Sequence, residues 1–333
     1  MEPLAIRVPV VPPIIAPLAS NTERPLWSVM IPSYNCTIYL RETLKSVLAQ
    51  DMGEEHMQIE VVDDASTDAD VAQVVALIGG GRVQYYRQPA NVGSLRNFET
   101  CLNRSRGQLI HLLHGDDRVV AGFYAQMTQL SQQYPEAGAV FCHYASIDET
   151  GKRTYIPPFF AKRGVLKNWL IRTAKRQYIQ YASIAVRREV YEKLGSFYGT
   201  NYGEDWEMWV RIARYYPVAY TPEVLAEYRG HADSISAEKA RLGHELADLV
   251  QVITRIEQHL PEADRKRVGA LARQRCAGLS LGSAYRIVQE TGDWSAARPQ
   301  ITQVLAMSQH PSIYYAIAKI YVKLLLHKYA GRR

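Results

Sequence analysis

The sequence has little of what most simply decides a protein's class. Its four cysteines, Cys36, Cys101, Cys142 and Cys276, are scattered, with no Cys-x-x-Cys pair and no zinc-finger spacing. That argues against a disulfide scaffold and against a thiolate metal knuckle, and makes a reduced, cytoplasmic setting the simplest expectation. No uninterrupted apolar run reaches the roughly 20 residues that cross a bilayer. Residues 8–18 are apolar but hold Pro9, Pro12, Pro13 and Pro17, which prevent the helical core of a signal peptide. They predict an extended, flexible leader over residues 1–25. No internal repeat is visible. The turn after the first apolar strand reads Pro32-Ser33-Tyr34-Asn35 instead of Gly-x-Gly-x-x-Gly, so the phosphate-binding glycines of a dinucleotide oxidoreductase are missing.

What remains is ordinary for a soluble enzyme: 333 residues, 47% hydrophobic and 22% charged. That length suits one large domain with an appendage, or two domains. The net charge of +6 is a modest basic bias, compatible with nucleic acid, anionic lipid or a phosphorylated substrate. Twenty-two tyrosines fit sugar-binding or interface surfaces as well as a core.

Strand and helix patterns alternate through the first half. Residues 27–31 form a compact apolar strand, and residues 38–50 repeat Leu40, Leu44, Val47 and Leu48 at helical spacing. A second strand, residues 59–62, runs into Asp63-Asp64-Ala65-Ser66-Thr67-Asp68. The next helix, through Val71, Val74, Val75 and Ile78, stops at Gly79-Gly80-Gly81. Residues 83–86 read as a third strand, and Asn91-Val92-Gly93 opens a helix to about Arg104. Residues 108–113 form a further strand that ends at His114-Gly115-Asp116-Asp117. Such alternation predicts an α/β fold with a mostly parallel, doubly wound sheet flanked by helices. Further strands are expected at 139–146, 183–186 and 218–220. A helix headed by acids is expected at 203–215, and a mobile segment around a short helix at 157–177. Beyond Ser236 the chain turns helical, so the domain boundary is expected there, with 237–333 as a helical extension.

Three strand ends carry the chemistry. Ligands in open α/β sheets bind beyond the carboxyl ends of the strands, where Pro32–Asn35, Asp63-Asp64 and Asp116-Asp117 all fall. Tyr34 suits stacking on a base, and Asp64 suits hydrogen bonds from base or ribose. Asp116 and Asp117 are hard oxygen donors for Mg²⁺ or Mn²⁺ bridging a diphosphate. Arg96, one turn into its helix, is within the same reach of base or phosphates. Each piece also has a plain reading: turn chemistry for Tyr34-Asn35, a turn and helix cap for Asp63–Asp68, and mutual repulsion without function for a lone acid pair.

Taken together and in order, Ser28–Asn35, Glu60–Asp68, Asn91-Val92-Gly93, Gly115-Asp116-Asp117, residues 203–213 and residues 228–236 resemble the family 2 glycosyltransferases of the GT-A (Rossmann-like) fold. The likeness spans about residues 27 to 236, which defines the expected catalytic domain at 26–236. The resemblance implies an inverting enzyme with a nucleotide-sugar donor and a glycan or lipid-linked acceptor. Neither nucleic acid nor a dinucleotide belongs to that reading. By position, Pro32, Tyr34, Asn35 and Asp64 line the base and ribose pocket, with Arg96 beside them. Asp117 is the firmer metal ligand with Asp116 beside it, and His231 lies near metal and diphosphate. Asp205 is the base, with Glu204 adjacent. Many relatives carry an aspartate where this chain has His114, which leaves the carboxylate count on the metal open. A catalytically silent sugar-binding domain is the alternative, and the presence of both Asp205 and Asp117 opposes it.

Residues 311–333 hold Lys319, Lys323, His327, Lys328, Arg332 and Arg333 and no acid, with Ile313, Ile317, Ile320 and Leu324 at helical spacing. The pattern fits a helix docked on the catalytic domain or a basic amphipathic helix on the inner face of the cell membrane.

Overall fold

The computed structural model describes residues 7–235, 239, 245–291 and 297–330. The chain divides into two compact units, one of residues 1–169 and 178–231, the other of 170–177 and 232–333. The division at 231/232 lies close to the expected boundary after Ser236, which itself falls outside the described residues.

Ten strands of the first unit join one sheet: β1 (Trp27–Ser33), β2 (Met57–Asp63), β3 (Gln84–Arg87), β4 (Leu109–Leu112), β5 (Arg118–Val119), β6 (Ala139–Ile147), β7 (Arg153–Tyr155), β8 (Gly164–Val165), β9 (Ile184–Arg187) and β10 (Val218–Arg229). The main path runs β3-β2-β1-β4-β9-β6-β10-β5. β1 pairs in parallel with both β2 and β4, and β2 with β3. β9 is antiparallel to β4 and β6, and β6 is parallel to β10. β1, β2 and β4 are buried along their whole length, as parallel strands covered on both faces must be.

Two apolar clusters cover the two faces. On one side Leu40, Leu44 and Val47 of α1 (Thr37–Leu48), Val71 and Val75 of α2 (Val71–Gly79) and Phe123 of α4 (Phe123–Gln133) pack against Val29, Ile31 and Val61. On the other, Leu95, Phe98 and Leu102 of α3 (Ser94–Arg104), Val190 of α6 (Arg188–Leu194) and Met208 of α7 (Glu204–Tyr215) pack against Met30, Ile110 and Phe141. The periodic leucines of residues 38–50 thus face the sheet as expected. α2 starts on an Asp70 side chain that accepts the Gln73 amide at 3.0 Å and ends on Gly80 at φ 54°, the glycine stop read from the sequence.

Three expectations are corrected. The leader is docked over its described part. Ile15 is fully buried, the amides of Ser196 and Gly199 donate to the carbonyls of Pro13 and Pro9, and Arg188 donates to the Ala16 carbonyl at 2.9 Å. Prolines that cannot donate still accept, so an extended strap satisfies its neighbours. Residues 157–169 are not loose either, because Phe160 stacks on Tyr220 at 4.6 Å and on Trp169 at 5.8 Å. The last strand runs to Arg229 instead of ending at 220. Pro222 interrupts the ladder, but pairing resumes after register shifts between Thr221 and Ala226.

The second unit holds residues 170–175 of α5 (Trp169–Lys175) together with α8 (Glu245–His259), α9 (Glu262–Thr291), α10 (Arg298–Met307) and α11 (Pro311–Ala330). Its core gathers Leu246, Ala277, Leu281, Val304, Met307 and Ile313, with Ile317 and Ile320 packed against it. The isoleucine face of α11 is therefore a docking face inside this unit. Tyr314, Tyr315, Tyr321 and Val322 are exposed, as are Lys319 and Lys323. The side chains of Leu324, His327 and Lys328, and residues Arg332 and Arg333, lie outside the described residues. No helix among the described residues is long and apolar enough to cross a membrane.

Candidate active site

The tips of β1, β2 and β4 meet, and their loops are locked together by backbone contacts. The Gly115 amide donates to the Pro32 carbonyl at 3.0 Å. A Cβ on Gly115 would lie 2.9 Å from Cys36 Sγ and 3.3 Å from that carbonyl, so the acidic loop approaches β1 this closely only with glycine. From α1, the buried Thr43 hydroxyl lies 3.0 Å from the Gly115 carbonyl oxygen and 2.6 Å from that of Asp117. Asn35 sits at φ 47°; its amide donates to Ser66 Oγ, and its Oδ1 accepts the Thr67 amide at 2.7 Å. It thus ties the β1 tip to the β2 tip, while Tyr34 stands half exposed at the rim.

Asp64 is buried and heavily engaged. Its carboxylate accepts the amides of Val92 and Gly93 at 2.7 and 2.9 Å and the Asn91 side chain at 3.0 Å. Burial raises its pKa, opposed by those two amides. Its neighbour Asp63 accepts from Tyr85, Arg87 and the Ser66 amide. Arg96 pairs with Glu99 at 2.7 Å and lines a recess of about 330 Å³ with Tyr86, Gln88, Val92 and Arg104. No strand-tip acid lines that recess.

The two acids after β4 differ. Asp117 is buried, and its Oδ1 accepts the Arg229 amide at 2.8 Å. Burial, together with the charge of Asp116, pushes its carboxyl well above the usual carboxylate range. Asp116 is the more open of the two, and its Oδ2 lies 3.0 Å from His231 Nε2. Burial acts to raise Asp116, but the hydrogen bond from His231 leads the effects that outweigh it and hold the group low. The His231 ring rests against Tyr39 at 4.9 Å. Arg229 braces the loop with Nε on the Asp116 carbonyl at 2.8 Å and Nη2 on Glu42 at 2.8 Å. Its Nη1 reaches the carbonyls of Asp148 and Glu149 at 3.1 Å.

His114 completes this group. One ligand atom each from His114, Asp116 and Asp117 lies within 4.8 Å of the others. The His114 ring is held between Phe98 at 5.0 Å and Tyr181 at 4.3 Å, and its buried Nε2 has no hydrogen-bond partner. Burial lowers its pKa and favours the neutral ring with a free lone pair. A buried polar atom left unpaired costs about 1–3 kcal/mol, so it calls for a ligand. Two carboxylates and an imidazole nitrogen make a donor set that fits a divalent cation.

Across from this cluster, Glu204 and Asp205 open α7. The Tyr181 hydroxyl donates to Glu204 Oε1 at 3.1 Å, so the ring that packs on His114 also touches the head of α7. Asp205 Oδ1 accepts the Trp206 amide at 2.7 Å. Two carboxylates at a helix N-terminus lie where the helix dipole favours anions. The structure thus joins His231 to Asp116 directly, ties Pro32 to the acidic loop through Gly115 and Asn35 to the β2 tip through Ser66 and Thr67, and links Glu204 to His114 through Tyr181.

Sequence reading missed Thr43, Arg229 and Tyr181. Tyr228-Arg229-Gly230-His231 lay inside a recognised stretch, yet only the histidine drew notice, because an arginine that binds backbone carbonyls leaves no periodic signal. Glu227 is a further case: Arg118 and Arg153 both bind it beneath the same loop.

Comparison with known proteins agrees with this geometry. The family model described as glycosyl transferase family 2 matches residues 28–195. An uncharacterized glycosyltransferase of Rickettsia felis is 27% identical over 64% of this chain, a stretch that spans only 35% of the relative's length. An uncharacterized protein of Mycobacterium tuberculosis is 27% identical over 70% of this chain and 76% of its own. Among solved structures, S. aureus TarS in complex with UDP-GlcNAc superposes with a TM-score of 0.64 at 16% identity, covering 92% of each chain. The mannosyltransferase PcManGT of Pyrobaculum calidifontis, in complex with GDP-Man and Mn²⁺, gives 0.56 at 20% identity over 96% of this chain and 90% of that one. The sheet described above is accordingly the GT-A fold, and the chain belongs to glycosyl transferase family 2.

Proposed function

We propose that the chain is an inverting glycosyltransferase that moves a sugar from a nucleoside-diphosphate donor to a hydroxyl of a glycan or lipid-linked acceptor. The observation that carries this reading is the His114–Asp116–Asp117 group at the β4 tip, facing through Tyr181 the carboxylates that head α7. Relatives named as glycosyltransferases support it, as do neighbours that hold UDP-GlcNAc or GDP-Man.

In this mechanism Asp205 accepts the proton of the acceptor hydroxyl while that oxygen attacks the anomeric carbon. The bond to the phosphate oxygen breaks on the opposite face, the nucleoside diphosphate leaves with the electron pair, and the configuration inverts. A divalent cation, Mg²⁺ or Mn²⁺, would neutralise the charge developing on the leaving diphosphate. Asp116 is the firmer carboxylate ligand in this account, reversing the expectation for Asp117. Asp117 is committed to the Arg229 amide and Asp116 is the more open acid. His231 then orients Asp116. Tyr34 supplies the stacking surface for the base, Pro32 and Asn35 shape the wall behind it, and Asp64 shapes that pocket by holding residues 91–93. Arg96 is left out of the donor pocket.

The domain reading is a catalytic region over 26–236, followed in the chain by a helical extension over 237–333. The chain would work in the cytoplasm, peripherally on the membrane through α11, where a lipid-linked acceptor is held. The contact face we assign is Tyr314, Tyr315, Tyr321 and Val322, since the isoleucine face is already packed. Asp205→Asn tests the chemistry. Against a panel of nucleotide sugars, the variant should bind the donor that shifts wild-type unfolding and yet transfer at least about 100-fold more slowly. Retained turnover would remove Asp205 as the base.

A further inference from the structure

We infer that His114 supplies a nitrogen ligand to the cation of this site and thereby makes the site select first-row transition ions over Mg²⁺. The inference rests on the metal-assisted reading above and goes beyond it by assigning the ligand and the selectivity. Three observations meet at this residue. Its Nε2 is buried and has no hydrogen-bond partner, so the atom is not there to brace the fold. Its ring is clamped between Phe98 and Tyr181, which fixes the direction of the nitrogen; an aromatic filler alone would serve there as phenylalanine, without a buried polar atom. And its ligand atom lies within 4.8 Å of carboxylate oxygens on both Asp116 and Asp117. Opposite ligands of an octahedral ion stand about 4.2 Å apart and adjacent ones about 3.0 Å, so the three atoms already surround a space that a cation would fill by drawing them together.

The chemistry of the donor sets the selectivity. Mg²⁺ is a hard ion that takes oxygen and gives up water reluctantly, whereas imidazole binds first-row ions with strength rising from Mn²⁺ through Co²⁺. Replacing one oxygen donor by nitrogen removes a negative charge and adds a softer lone pair. Both changes cost Mg²⁺ more than they cost Co²⁺ or Mn²⁺.

The test uses the full chain and metal salts alone. With Mn²⁺ bound, electron spin-echo spectra of the wild type should carry nitrogen modulation from a directly coordinated ¹⁴N. The modulation should persist in His231→Gln and vanish in His114→Asp. By calorimetry, His114→Asp should lower the Co²⁺ to Mg²⁺ affinity ratio at least about tenfold, the floor set by what loss of an outer partner alone costs. His114→Asn should lose the modulation too, which guards against one variant that fails to fold. Wild-type protein that binds Mn²⁺ without nitrogen modulation, or modulation lost in His231→Gln alone, overturns the assignment while leaving the metal reading intact. Wild-type protein that binds none of these ions overturns the metal reading and this inference with it.

Discussion

Thr43 shows how much of the site depends on single buried atoms. One hydroxyl proton is shared between the carbonyls of Asp117 and Gly115, so Thr43→Val removes that buried donor at nearly constant volume. That should cost about 1–3 kcal/mol in denaturant unfolding, with Thr43→Ser recovering much of it. Glu227 makes a pH-dependent case. Burial works to raise its pKa, but hydrogen bonds from Arg118 and Arg153 win and hold it below the ordinary 4.5. A carboxylate with a depressed folded pKa contributes stability above its unfolded pKa and loses it as pH falls through the folded value. Glu227→Gln should therefore lower the melting temperature at pH 7, and the gap to wild type should narrow below about pH 4.5. An unchanged gap at low pH would show that the ion pairs contribute little. At this scale the acids were legible, because a doublet ending an apolar run has few structural uses. Their unequal roles were not, since Asp116 and Asp117 part company only once Arg229 arrives from 112 residues away.

Elements were legible where periodicity and stop signals agree, as in α2 with its Asp70 cap and Gly80 stop. They were misread where one signal outweighed another. The apolar run at 218–220 shows only the start of the last strand, since parallel pairing with β6 carries it past Pro222 to Arg229 and so delivers His231 to Asp116. α11 has two apolar faces, and periodicity alone does not say which one the protein keeps for itself. Burial of Ile313 answers that, leaving the tyrosines exposed, with Lys319 and Lys323 exposed on the same helix. Exposed tyrosine and lysine on one helix suit the headgroup region of an anionic bilayer. Wild-type protein should float with phosphatidylglycerol vesicles, and Tyr314→Ser/Tyr315→Ser/Val322→Ser should reduce the floated fraction severalfold. Equal flotation of the two would remove the face from the account. Deleting the whole helix is the poorer experiment, because it also takes Ile313 from the core.

For the whole molecule, the order β2-β1-β4 in a parallel sheet explains why residues 32, 64 and 116 come together across gaps of 32 and 52 in sequence. That convergence follows from strand–helix alternation, which is why the fold and the meeting of these strand ends were readable in advance. The stretch from Gly151 to Ser183 was not. Its short strands and aromatic packing are set by β6 and β10, with no repeating pattern of their own. The central claim is that the β4 tip holds a nucleoside diphosphate through a divalent cation. Calorimetric titration of UDP and GDP into wild type and Asp116→Asn, each with Mn²⁺ and with chelator, tests it most directly. The account predicts binding of one nucleotide by wild type with Mn²⁺, and at least about tenfold weaker binding with chelator or with the asparagine in place. The same affinity in all four mixtures would contradict it.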